Sequence, residues 1–160
     1  EYNNDGTGSW TDSDHNEAEW DAEGKNAYTE ANGTTGYVNP DGSGSETDAE
    51  GNVTTWDTEG NSQYQGADGS TGTYNVDGSG TFTDAQGNTS TWDTDGNGTF
   101  SNVDGTSGTY NVDGSGTFTD TDGTTGTFNA NGSGSETERY VLHSSLAGDT
   151  RRILPRTSPR

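Results

Sequence analysis

Cysteine and methionine are absent from this sequence, and apolar side chains are scarce: AVILMFWYC residues make up 21% of 160 positions. Without Cys there is no disulfide framework and no thiolate metal site. Without Met, a chain starting at Glu1 reads as a mature protein freed of its signal peptide, or as a fragment. The apolar fraction is well below the roughly 45–50% of ordinary globular domains, Gly included, so a multilayer core is excluded because chain entropy would outweigh its burial. No run approaches the ~20 apolar residues of a membrane-spanning helix. Basic residues are also few. Residues 1–138 hold Lys25 alone against 26 of the 27 acids, leaving −25, whereas 139–160 hold five Arg and Asp149, leaving +4. Phosphate would be repelled by such a body, which excludes nucleic acid as a partner; the charge suits a cation-rich extracellular setting.

Composition alone fits a disordered chain. The aromatics argue otherwise: 4 Trp, 7 Tyr and 4 Phe recur on a grid. Glycine returns every nine residues at Gly42, Gly51, Gly60, Gly69, Gly78, Gly87, Gly96, Gly105, Gly114, Gly123 and Gly132, and upstream at Gly24 and Gly33, with His15 the one exception before Gly6. Large side chains form two sets, each with a period of 18: Tyr2, Trp20, Val38, Trp56, Tyr74, Trp92, Tyr110 and Phe128, and Trp10, Tyr28, Glu46, Tyr64, Phe82, Phe100, Phe118 and Glu136. A register this strict marks a repeat architecture.

Each nine-residue unit carries turn chemistry such as VDGS at 76–79 or PDGS at 40–43. A type I turn followed by Gly in the left-handed region closes a three-residue hairpin loop, with Pro40 supplying a suitable φ. Three loop residues leave six per strand. With Val76-Asp77-Gly78 as loop, Tyr74 faces Gly80 and Phe82 faces Gly72; the same rule pairs Phe100 with Gly108, Tyr110 with Gly98, Phe118 with Gly126 and Phe128 with Gly116. Rings over cross-strand glycines are a known sheet-stabilising device. All rings then share one face, and Thr81, Thr83, Thr99, Thr117 and Thr119 share the other. The mirror placement of rings about each Gly favours antiparallel strands. The expected fold is all-β: tandem 18-residue hairpins in an antiparallel meander with a one-sided aromatic ladder, the alternative being a parallel β-solenoid. A continuous exposed ring stripe would need cover from coiling, a second sheet or another subunit.

The stretch FTDAQGNTSTWDTDGNGTF at 82–100 resembles the YD (RHS-type) hairpin repeats of secreted bacterial proteins, and the 18-residue unit resembles the calcium-binding RTX β-roll, without its GGxGxD signature. Both resemblances imply a secreted or surface-exposed repeat protein. They cover the repeat region and not the tail.

Catalysis is not expected, because His15 and His143 stand in unrelated contexts and identical repeats do not converge unlike groups. Asp93, Asp95, Asp120 and Asp122 resemble pieces of calcium loops, but Asp is also the residue that turns use; no cofactor is expected beyond weak Ca²⁺. Asn32, Asn52, Asn88, Asn97 and Asn131 head N-glycosylation sequons. Residues 139–160 form a second segment, a basic, aliphatic tail after the acidic repeat domain 1–138. Its Tyr140, Leu142, Leu146, Arg151, Arg152, Ile153, Leu154 and Arg156 could cap the last strand or connect to an acidic neighbouring copy. With the first strand read as an open edge, the expectation is a structural subunit of a self-assembling extracellular filament or surface appendage, a glycoprotein partnered head-to-tail with itself. The alternative is an ice-binding or glycan-binding module of an adhesin.

Overall fold

The computed structural model describes residues 1–138; the tail residues named above lie outside the described residues. Two compact units divide at Gly87/Asn88. The first contains β1 (Gly8–Thr11), β2 (Glu17–Trp20), β3 (Asn26–Thr29), β4 (Thr35–Val38), β5 (Gly44–Thr47), β6 (Val53–Trp56), β7 (Ser62–Gln65), β8 (Thr71–Tyr74) and β9 (Gly80–Thr83). The second contains β10 (Thr89–Trp92), β11 (Gly98–Ser101), β12 (Ser107–Tyr110), β13 (Gly116–Thr119), β14 (Thr125–Phe128) and β15 (Gly134–Thr137). Within each unit every strand pairs antiparallel with the strands before and after it, which removes the parallel solenoid. Residues 1–3 line β1: Tyr2 bridges Gly8 and the Ser9 amide donates to the Glu1 carbonyl at 3.0 Å.

Strands are four residues long, not six. The turn takes the rest. In the loop after β4, the Gly42 amide donates to Asn39 O (2.9 Å) and the Asn39 amide to Ser43 O (2.8 Å), the pattern of a type I turn with a bulge. Gly42 has φ +89°. His15 holds the same place in its turn at φ +69°, where a β-carbon crowds the backbone. His15→Gly should therefore stabilise the protein by about 1 kcal/mol, read as a higher urea midpoint.

Two side-chain schemes brace the loops. In one, Asp41 Oδ1 accepts the Ser43 amide and hydroxyl at 3.0 and 2.7 Å while Asn39 Nδ2 donates to Ser43 Oγ. In the other, Asp48 Oδ1 accepts the Glu50 and Asn52 amides and Asn52 Nδ2 donates to Asp48 Oδ2 at 2.7 Å. Asn52 Oδ1 then accepts the Ala67 amide of the following loop on the same side (3.0 Å), a stitch repeated at Asn16, Asn61, Asn88 and Asn97. In several loops the residue two before the Gly packs on the Gly of the preceding loop on its side, as Ala49 does on Gly33 and Ala67 on Gly51. A β-carbon on Gly24 would stand 3.5 Å from Pro40 and one on Gly60 3.6 Å from Val76.

No hydrophobic side chain among the described residues is fully buried. The rings need no second layer because they lie on their own sheet. The predicted pairs are all present in the register, including Phe82 with Gly72 and Phe118 with Gly126. Tyr110 lies over Gly98 and its hydroxyl reaches Thr91 O on the strand beyond at 3.2 Å. Trp56 lies over Gly44 and donates its indole N–H to Gly42 O at 2.9 Å. Tyr28 lies over Gly36 and donates to Glu46 Oε2 at 2.8 Å; burial and the Glu46 carboxylate push its phenol up to about 12. Trp20 lies over Gly8, and Tyr2 tilts against it at 6.4 Å. Trp10, opposite Ala18 instead of Gly, is 53% exposed. Tyr64 and Tyr74 depart from the pattern: Tyr64 turns its hydroxyl to Gly66, and the Tyr74 ring leans on Gly72 of its own strand.

Candidate functional site: the polar face of the first unit

Alternation sends every other residue to the face opposite the rings. In the second unit that face carries matched hydroxyls: Thr91 with Thr99 (2.8 Å), Thr109 with Thr117 (2.9 Å) and Thr127 with Ser135 (2.9 Å). The first unit departs from this uniformity. Its central row of directly opposed residues runs Ser9, Glu19, Ala27, Tyr37, Ser45, Thr55, Gln63, Thr73, Thr81. A shallow groove of ≈ 290 Å³ follows it over Val53, Thr55, Gln63, Gln65, Thr71, Thr73 and Thr81. It shares Thr55, Gln63 and Thr73 with an adjoining hollow of ≈ 240 Å³ that extends to Asp57, Asn61 and Asn75 at the loops.

Three features give this face chemistry. Tyr37, off the aromatic grid, presents its ring on the polar side between the small Ala27 and Ser45. The Lys25 ammonium sits 4.0 Å from its centroid, so the ring already holds a cation. Asp57 bounds the adjoining hollow, and the hydrogen bonds from the Asn61 side chain and backbone hold its carboxyl below the ordinary aspartate range, so it is ionised at neutral pH. Glu17 and Glu19 add two carboxylates on β2. The face can therefore hold cations and hydrogen-bond an extended backbone.

Sequence reasoning passed over Tyr37, Gln63 and Gln65. Their signal was departure from the repeat: TGYV stands where TGTY is the rule and SQYQ where GTFT is. The residues it did single out serve the fold. Asp93 Oδ1 accepts the amides of Asp95 and Asn97, Asp120 accepts the Thr121 amide and Asp122 the Thr124 amide; no group of three metal-ligating side chains gathers among the described residues. The sequon asparagines are turn braces, Asn32 Oδ1 accepting the Thr34 amide and Asn131 Oδ1 the Ser133 amide, with Asn52, Asn88 and Asn97 in the loop stitches.

A free-standing antiparallel meander with ring-on-glycine packing is thus the class of fold. No protein-family model matches the sequence, and neither does any curated protein. Among solved structures, it is similar to the G-box domain of the microcephaly protein CPAP, in a study suggesting a role in centriole elongation (19% identity, TM-score 0.59, covering 83% of this chain and 93% of that one). The Danio rerio CPAP TCP10 domain in complex with a peptide of STIL gives 20% identity and a TM-score of 0.67 over 86% of this chain and 82% of that one. The Drosophila melanogaster SAS-4 TCP domain, in complex with a proline-rich motif of Ana2, gives 15% and 0.63 over 83% and 90%. At these identities the likeness establishes the fold.

These neighbours overturn the functional expectation drawn from composition. Of these neighbours one is given a role in centriole elongation and two hold peptides of other proteins, in contrast to extracellular filament subunits paired with copies of themselves. The extracellular or cell-surface location, the homopolymer, the glycoprotein and the ice- or glycan-binding adhesin module are withdrawn with it. The physical reason lies in the meaning of the composition. Gly, Asn, Asp and Thr are abundant because tight turns and ring seats require them in any compartment. Most of the rings rest on glycines of their own layer, which lessens the apolar area that a second copy would have to cover.

Proposed function

We propose that this protein is a peptide-binding module that holds an extended, cationic segment of a partner protein on the polar face of its first unit. The observation that carries this reading is the pair of adjoining hollows over Thr55, Gln63 and Thr73, bounded by Asp57, on the same face as Tyr37, a ring with a cation already seated on it. The body's charge of −25 complements a basic ligand and would speed its encounter. The solved complexes of similar domains with partner peptides support a peptide as the ligand. Nothing in the reading requires catalysis.

Fluorescence anisotropy with a dye-labelled (Arg-Pro-Pro)₄ peptide tests it on the full chain. Saturable binding that weakens with salt is expected. The double substitution Thr55→Lys/Thr73→Lys should weaken it at least about tenfold, by placing like charge and bulk in the groove. Thr109→Lys/Thr117→Lys in the second unit, an equal change in charge, should act far less. Absence of saturable binding, or equal losses from the two pairs, would overturn the assignment.

A further inference from the structure

One turn of the first unit breaks the bracing rule. From Thr7 to Ser133 the residue after the positive-φ position is Ser, Thr or Asn in every turn except the one between β2 and β3, where it is Lys25. Lys25 keeps the backbone part of the scheme, its amide donating to Asp21 Oδ1 at 2.8 Å. It does not supply the rest. Asn61, its counterpart two hairpins on, donates Nδ2 to Asp57 Oδ2 at 2.8 Å and accepts the Val76 amide at 3.1 Å. An ammonium has no acceptor, and the residue in the place of Val76 is Pro40, which has no N–H to give. The position is thus released from stitching. Lys25 instead sets its ammonium 4.0 Å from the centroid of the Tyr37 ring. Among the described residues it pairs with no carboxylate, although Asp21 and Glu23 share its turn. Tyr37 interrupts its own row, where the residues one hairpin apart are Thr from Thr55 to Thr127. Two departures from the repeat therefore meet: the chain's only lysine and the one polar-face ring among the described residues.

We infer that Lys25 is an internal competitor for the cation seat on Tyr37, and that it sets how tightly this face holds a cationic partner. The inference rests on the peptide-binding reading and adds its regulation. A partner's cation reaches the ring only in molecules from which Lys25 has lifted, so its apparent affinity is scaled by that open fraction. A cation–π contact at an exposed site is worth a factor of about two to five. The ring then stands open in about a sixth to a third of molecules. Because the competitor is tethered, its strength does not depend on protein concentration. What counts is its hold on the ring, more than its charge. Arginine in its place has a planar, weakly hydrated head that stacks better on an aromatic face, and closes the seat harder. A neutral side chain opens it. A contact that served only to staple the turn to β4 would change stability under these substitutions and leave binding alone.

The test sets two substitutions of opposite sign against each other on the full chain, with the dye-labelled peptide of the preceding test as probe. Lys25→Gln should tighten binding at least about threefold. Lys25→Arg, which keeps the charge, should weaken it about twofold. In the Tyr37→Leu background Lys25→Arg should have no effect, and the Lys25→Gln gain should fall below about twofold, the part owed to net charge. Selective ¹³C labelling of lysine gives one set of side-chain signals, because Lys25 is the only lysine. Its protons should be shifted upfield by the ring, and should return towards ordinary lysine values as the peptide saturates. An affinity that Lys25→Arg leaves unchanged, a Lys25→Gln gain that persists in full without Tyr37, or Lys25 signals that bound peptide does not move would each overturn the competitor and leave peptide binding standing. Failure of the parent and the Lys25→Gln protein alike to bind would overturn both.

Discussion

Gly126→Val should destabilise the second unit by about 3 kcal/mol, at the upper end for overpacking a well-filled site. Strand propensity points the other way, since Val is a favoured strand residue and Gly a poor one. The ring decides the sign. Gly126 stands opposite Phe118, and the nearest atoms to a β-carbon there are all in that ring, Cδ1 at 3.0 Å and two others closer. Valine would push the ring off its seat and expose both of its faces. Urea denaturation followed by circular dichroism measures the cost. The double variant Phe118→Ala/Gly126→Val should recover most of the loss relative to Phe118→Ala alone, because the clash is gone. Additive costs would show that ring seating is not what Gly126 provides.

Acid should unfold the protein. Side-chain hydrogen bonds from Ser43, Asn52, Ser79 and Ser115, with backbone amides behind them, hold Asp41, Asp48, Asp77 and Asp113 below the ordinary aspartate value of 3.8. Backbone amides act first at Asp104 and Asp122. A carboxyl with a depressed folded pKa contributes stability that is complete above its unfolded pKa and is lost as pH falls through the folded one. The urea midpoint should therefore fall progressively below about pH 4. Protonation also relieves the repulsion within a chain of net charge −21, which opposes the loss. The turns win because these carboxyls titrate below their usual range, not above it. The protein contains its own control: Asn131 braces its turn as a neutral amide, accepting the Ser133 amide and hydroxyl at 3.0 and 2.7 Å. The triple variant Asp41→Asn/Asp77→Asn/Asp113→Asn should blunt the acid sensitivity; an unchanged pH profile would refute the turn carboxylates as its source.

Much of the fold was legible because its rules are local. Turn glycines need φ > 0, rings need glycine seats, and an odd loop length keeps all rings on one face; each can be read from residue spacing. The strand length was not legible, because whether Asn39 and Ser43 belong to the strand or the bulge depends on hydrogen-bond geometry rather than residue type. The Asn52–Ala67 stitch was missed because it joins residues fifteen apart, a spacing off the nine-residue period, in loops that share no strand. The demand for a covering layer was misjudged: a ring laid flat on glycine hides one face within the layer, so exposure is halved without a second sheet. The site was legible only as an interruption. Tyr37, Gln63 and Gln65 break a repeat that is otherwise kept, and attention to what was constant hid them.

Within each unit a strand's backbone lies against only its predecessor and its successor, side chains such as Tyr28 and Tyr110 reach one strand further, and among the described residues there is no common interior. Such a molecule is a one-dimensional lattice, and its free energy should accumulate rung by rung. Its stability then rises as hairpins are added, fraying starts at the ends, and a lesion in the middle severs cooperativity instead of melting the whole. Evolution could lengthen or shorten it in whole hairpins without redesigning anything. The number of rungs becomes a heritable ruler for whatever is laid across them.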